Sequence, residues 1–220
     1  MNKACLLLFI TVLISSSCAS SRYATYPGMD YAVASWYGTE FHGRPTSSGE
    51  IFNMYAFTCA HKEYPFGTRL KITSVSSRKS VDCMVNDRGP FVEGRDIDLS
   101  YAAAKEIDLI REGVGMVRIR PLGRDSSYVR QVRYASSAGP FTIQVGSFSE
   151  PSNAYRLRKA LEIKYRNVYT TEAEMRGNVY YRVRVGKFAS EDAVRKTARD
   201  LADEGYEVLI TGYDERIYLW

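Results

Sequence analysis

The sequence predicts two domains: a compact β-rich one over residues 31–123 and an α+β one over residues 140–217 whose elements run β-α-β-β-α-β. Three observations carry this. Between residues 31 and 122 short apolar runs alternate with Gly, Pro and Ser turns, as in a small all-β domain. After Pro140 strands alternate with amphipathic stretches of helical period. The second part also repeats itself, because Ile143-Gln144-Val145-Gly146-Ser147-Phe148-Ser149 is echoed by Val183-Arg184-Val185-Gly186-Lys187-Phe188-Ala189, each followed by such a helix. Duplication of this kind puts helices on one face of an antiparallel sheet and leaves the other face for a ligand. At 220 residues the chain is long enough for two separate cores.

The elements follow in order. Lys3 and an apolar stretch over residues 4–14, too short to span a bilayer comfortably, read as an export signal covering residues 1–17. Ser15-Ser16-Ser17 then precede Cys18 in a pattern that resembles the lipobox of bacterial lipoproteins, with Ser15 where Leu is usual. Lipidation of Cys18 is one reading, and ordinary cleavage near residues 17–20 is the other; both put the protein outside the cytoplasm. Residues 18–30, polar and broken by Pro27 and Gly28, read as a tether. In the first domain strands are expected over 32–37, 70–72, 81–85 and 114–119, with one helix over 101–107 capped by Ser100. Residues 124–139, rich in Arg, Ser and Tyr and closing on Ser-Ser-Ala-Gly, read as a linker. In the second domain strands are expected over 141–145, 179–185 and 207–210. Its helices span 151–163, with Ala154, Leu157, Ala160 and Leu161 on one face, and 191–204, with Ala193, Val194, Ala198, Leu201 and Ala202 on one face.

Composition narrows the function. The net charge of +5 is mild, and basic residues alternate with acidic ones, so a nucleic-acid partner is not implied. Seventeen tyrosines suit sheets and carbohydrate surfaces. The two histidines, His42 and His61, make no zinc-type Cys/His cluster, so neither a metal nor another cofactor is implied. Cys5 leaves with the signal. In an oxidising compartment Cys59 and Cys83 form either a bridge, fastening the segments ahead of His61 and Asp87, or two buried thiols.

Chemistry concentrates at one corner. An alternating strand (Val81, Cys83, Val85) delivers Asn86-Asp87-Arg88-Gly89-Pro90-Phe91, and a carboxylate at a strand-to-turn break is held by the sheet while still facing a ligand. Asp87 and His61 suit proton transfer, Glu50 is a further carboxylate on a Gly-led turn, and Trp36 and Tyr37 offer flat faces to sugar rings. Proton-transfer groups beside aromatic platforms suggest glycosidic bond cleavage. Each residue also has a plainer reading: Asp87 as a turn former with Arg88 as its ion-pair partner, His61 and His42 as structural histidines, Glu50 as a turn cap, and Trp36 as core.

The motifs Ala-Ser-Trp-Tyr-Gly, Thr-Ser-Ser-Gly-Glu, Ala-His-Lys-Glu-Tyr-Pro-Phe-Gly-Thr, Asn-Asp-Arg-Gly-Pro-Phe and Asp-Ile-Asp-Leu-Ser make residues 31–122 resemble the rare lipoprotein A family of septal-ring lytic transglycosylases. The duplicated Gln-Val-Gly-Ser-Phe and Val-Arg-Val-Gly-Lys-Phe pattern makes residues 140–217 resemble the SPOR peptidoglycan-binding domain. The resemblance implies a six-stranded double-psi β-barrel with a short helix, followed by the SPOR sandwich. It implies that Asp87 and His61 are catalytic with Glu50 in support, that Arg88 and Arg95 hold the loop, and that Arg88 contacts substrate. The implied substrate is a peptide-free glycan strand, cut between MurNAc and GlcNAc to leave a 1,6-anhydro end, at the septum of the cell envelope. Peptidoglycan, the membrane through an N-terminal lipid, and divisome proteins are the implied partners. In the second domain strand alternation puts Ile143, Val145, Val183 and Val185 toward the helices, leaving Gln144, Arg182 and Arg184, with Ser147 and Phe148 at the turn, for glycan. The competing classes are a catalytically inactive wall-binding lipoprotein and a disulfide-linked structural protein.

Overall fold

The computed structural model describes residues 31–136 and 139–213. Cys18 and the signal and tether segments lie outside those residues. The first domain is a closed barrel of β1 (Ala32–Trp36), β2 (Thr58–His61), β3 (Thr68–Ser74), β4 (Ser80–Asp87), β5 (Ile97–Leu99) and β6 (Gly115–Arg124), ordered β1-β5-β2-β4-β3-β6 around the ring. β1 with β5 and β2 with β4 are the parallel pairs, and the others are antiparallel.

Alternation explains the barrel interior. In β4 Val81, Cys83 and Val85 point inward, meeting Cys59, Leu70, Ile72, Ile97, Leu99 and Val117 in a core that excludes water. Cys59 and Cys83 are disulfide-bonded inside it, their Cα atoms 6.0 Å apart, which ties β2 to β4. β2 and β5 are short strands that the sequence pattern did not locate. Ser100 caps α1 (Tyr101–Glu106), its hydroxyl accepting from the Ala103 amide, and a second short helix, α2 (Leu109–Glu112), follows.

The second domain is a five-stranded sheet ordered β7-β11-β8-β10-β9, with α3 (Pro151–Glu162) and α4 (Glu191–Glu204) on one face. Its strands are β7 (Val132–Tyr134), β8 (Phe141–Phe148), β9 (Val168–Met175), β10 (Asn178–Phe188) and β11 (Val208–Gly212). The β-α-β-β-α-β order is present as β8-α3-β9-β10-α4-β11, and β7 is an addition. β7 lies within the 124–139 stretch and pairs parallel to β11, so residues 132–134 belong to the sheet and not to a free linker. Its three residues are too few to show a period, and Val132 reaches the apolar cluster.

The domains pack tightly. Phe66 donates its amide to the Glu204 carbonyl at 3.0 Å, and the rings of Phe66 and Tyr206 meet edge to face at 4.9 Å. Gly205 ends α4 at φ +98°, where a Cβ would meet the Phe66 side chain and the Tyr128 carbonyl at 3.0 Å, so the close approach needs a glycine there.

Candidate active site

Asp87 is the last residue of β4 and is 8% exposed. Its Oδ1 accepts two backbone amides, from Ser47 and Arg88, both at 2.8 Å. Its Oδ2 accepts the Tyr37 hydroxyl at 3.3 Å. Three donors on two oxygens fix the carboxyl plane, and Oδ2 keeps acceptor capacity for a further partner. Burial, then the Asp87 charge, push the Tyr37 phenol well above its ordinary range, so it stays protonated and donates. Tyr37 is packed against Phe41 and Phe52, with ring centroids at 5.6 and 5.0 Å. It is thus a hydrogen-bond donor to the acid instead of the open sugar platform expected of it.

Ser47 reaches Asp87 because the residue 46–50 turn is closed on itself: the Thr46 amide donates to the Glu50 carbonyl at 2.8 Å and the Gly49 amide to the Thr46 carbonyl at 3.1 Å. Glu50 is occupied on both oxygens. Asn86 Nδ2 donates to Oε2 at 2.7 Å, and the Tyr128 hydroxyl donates to Oε1. Glu50 therefore fastens the turn to the residue before Asp87, while Tyr128, from the segment read as a linker, completes the contact. Burial and this carboxylate push the Tyr128 phenol upward.

His61 ends β2, one residue beyond Ala60, which is the register partner of Asp87. Its Nδ1 accepts the amides of Glu63 and Tyr64 at 3.0 and 3.1 Å, so the neutral ring carries its proton on Nε2. Burial first, then the Arg88 charge, hold the imidazole down from its ordinary 6.5 to about 4. Among the described residues no hydrogen bond joins it to Asp87. What it offers is a neutral Nε2–H donor.

Arg88 points into the contact between the two domains. Its guanidinium lies 3.8 Å over the Phe66 ring and 5.2 Å from Tyr206, donates from Nε to the Tyr206 hydroxyl at 2.8 Å and from Nη1 to the Tyr64 carbonyl at 2.9 Å. With its side chain 2% exposed, it corrects the substrate-contact expectation: the arginine is a tie between domains. Arg95 instead holds Asp98, donating to both oxygens at 2.9 Å, and Ser35 donates to Asp98 Oδ1. Asp98, Ala60 and Asp87 are successive register partners across β5, β2 and β4, which sets the two carboxylates two strands apart, roughly 10 Å at ~4.8 Å per strand. An aspartate between the inward-facing Ile97 and Leu99 was the signal for this second acid. Trp36 packs edge-on against Tyr101 at 5.9 Å, half-buried, beside the core.

In the second domain Ser147 is exposed, and Gln144, Phe148 and Arg182 are half-buried. Arg184, expected on an open face, is only 7% exposed, because it lies between Gln144 on β8 and Tyr169 on β9. The described residues hold no cluster of three or more His, Cys, Asp or Glu suited to a metal, and no helix among them is long and apolar enough to cross a membrane.

Comparison with known proteins agrees with this organisation. The Lytic transglycolase family matches residues 31–119, and the SPOR domain family matches residues 137–211. The chain is 38% identical over 190 residues to the endolytic peptidoglycan transglycosylase RlpA of Campylobacter jejuni, covering 79% of this chain and 67% of that one. It is 36% identical over 184 residues to the protein of the same name from Helicobacter pylori strain J99, covering 74% of this chain and 58% of the relative's length. Among solved structures the RlpA SPOR domain of Pseudomonas aeruginosa matches 32% of this chain and 96% of that chain, at 26% identity and a TM-score of 0.29.

Proposed function

Because the chain belongs to the RlpA family, we propose that it is an endolytic lytic transglycosylase of peptidoglycan glycan strands lacking stem peptides. The barrel cuts between MurNAc and GlcNAc without water, and the second domain holds the strand. The observation that carries the reading is the Asp87 carboxyl, fixed through Oδ1 by two amides and through Oδ2 by Tyr37.

The protonated Asp87 gives its proton to the glycosidic oxygen as the bond from MurNAc C1 breaks, and GlcNAc leaves as the alcohol. The C6 hydroxyl of the same MurNAc then attacks C1, and its proton returns to the Asp87 carboxylate, closing the 1,6-anhydro ring and restoring the acid. One group serves both steps because no water is consumed. Tyr37 holds Oδ2 in place and stabilises the carboxylate stage. The neutral His61 presents Nε2–H to a sugar oxygen, and Glu50 keeps the Ser47 amide aimed at Asp87.

The envelope setting follows from the same reading. Lipidation at Cys18 anchors the chain, and the polar side of the SPOR-type sheet, with Gln144 and Ser147, directs it to septal glycan, where divisome proteins are its neighbours. The decisive experiment incubates Asp87→Asn with purified peptide-free glycan and analyses products by mass spectrometry. Loss of anhydro-ended fragments with an unchanged melting curve is expected, and undiminished product removes Asp87 from the mechanism.

A further inference from the structure

A cavity of about 280 Å³ opens between the two domains. One wall is the barrel turn, with Ser47 and Ser48; the other is the sheet end, with Gln144 and Ser147; Arg133 and Glu207 stand beside it. Its size lies near the lower bound, roughly 300 Å³, of clefts that enclose small ligands. It suits a short piece of a longer molecule.

We propose that this cleft is a glycan subsite through which a single strand is held by both domains at once. The proposal rests on the reading that both domains act on glycan. Four features converge on it. The wall residue Ser47 is the one whose amide anchors Asp87, so an occupant of the cleft lies one residue from the acid. The lining sets Ser147 and the Gln144 amide beside the apolar Val145, Phe148, Leu157 and Leu209, a mixed surface for the hydroxyls and the C–H faces of a sugar.

The third feature is charge. Arg133 lines the cleft with its side chain 65% exposed, and its partner Glu207, at 3.1 Å, is shared with Arg130, which stands outside the lining at 3.4 Å from the same carboxylate. A peptide-free strand carries a free lactyl carboxylate on every MurNAc, and the exposed Arg133 guanidinium is a partner for one of them.

The fourth is rigidity, because a shared subsite needs a fixed spacing. Arg88 is clamped between Phe66 and Tyr206, the Tyr128 hydroxyl donates to Glu50, and Arg156 of α3 reaches the Pro45 carbonyl at 3.5 Å while lying 5.6 Å from the Phe41 ring centroid. These contacts join the domains, and a buried aromatic interface of this kind resists the independent motion expected of loosely linked domains. The sheet therefore works as an extension of the catalytic groove, and it sets the distance between the held segment and the cut.

The test uses the full chain carrying Asp87→Asn, with peptide-free glycan oligomers of defined length, in calorimetric titrations. One long oligomer per chain is expected, with affinity rising at least tenfold once the oligomer is long enough to reach both walls. Arg133→Glu and Ser147→Trp are each expected to remove that rise. Arg118→Glu, the same charge change on the exposed outer side of the barrel, is expected to keep it. Two long oligomers per chain, or a rise that survives both cleft variants, overturns the proposal. Binding is read without turnover, so an inactive wild-type enzyme would sink the transglycosylase reading and leave this result standing by itself.

Discussion

His61 makes a quantitative prediction about stability. The residue is 7% exposed, and burial with the neighbouring Arg88 charge lowers its imidazole from 6.5 to about 4. In the unfolded chain the imidazole takes up a proton near 6.5, whereas the folded chain refuses it until about 4. Between those values the unfolded state binds more protons, so stability rises with pH and is lost as pH falls. Above 6.5 the residue is neutral in both states and contributes no penalty. At ~1.4 kcal/mol for each pH unit between the two values, the full loss is roughly 3 kcal/mol, a large part of a domain's net stability. Urea unfolding at closely spaced pH values from 7 to 4 measures it, with His61→Gln as the reference. The glutamine oxygen can accept the Glu63 and Tyr64 amides but does not titrate. Carboxylates contribute equally to both curves, so the difference between them isolates the imidazole. The wild-type curve should fall away from that of the variant as pH drops. Two parallel curves would refute the buried, amide-held neutral ring.

Two further variants test the site and its frame. Tyr37→Phe removes the donor to Asp87 Oδ2 while leaving its packing with Phe41 and Phe52; hydrogen bonds to charged groups contribute roughly 1.5–3 kcal/mol, so kcat should fall about tenfold or more with KM little changed. A change confined to KM would make Tyr37 a substrate contact instead. The Cys59–Cys83 bridge closes a stretch with a sequence separation of 24, for which loop entropy gives roughly 3 kcal/mol, so Cys83→Ser should unfold at a clearly lower urea midpoint. Equal midpoints for variant and wild type would show that the bridge contributes nothing.

The barrel strands with clear alternation and the helices with a 3.6 period were legible because burial imposes those periods directly. α4 (Glu191–Glu204) coincides with its sequence prediction, since Val194, Ala198, Leu201 and Ala202 all meet the sheet and Ser190 and Gly205 bound the helix. β2 and β5 escaped because a strand of three or four residues gives no period to read. At the site Asp87 was legible from the strand-to-turn break, but its partners were not. Ser47 acts through a backbone amide, which any residue carries, and Tyr128 comes from 78 residues beyond Glu50. Arg88 was misread because a buried arginine and a ligand-facing one look alike in sequence, and only the second domain's Tyr206 and Glu204 distinguish them.

That misreading changes how the second domain must be probed. Deleting residues 140–220 looks like a clean removal of a binding module, yet it also removes the Tyr206 ring and hydroxyl that stack on and accept from Arg88, and the Glu204 carbonyl that accepts from Phe66. Arg88 immediately follows Asp87 and supplies one of the two amides on Oδ1, so a charge left without its partners is coupled to the acid through a single peptide unit. β7 would lose β11 as well, and Tyr128, which closes on Glu50, sits just before it. A truncated chain that fails to cut glycan therefore reports a disturbed acid as readily as a lost anchor. Only substitutions at the exposed end of the sheet, such as Ser147→Trp or Arg133→Glu, vary glycan binding while the contacts around Arg88 stay in place.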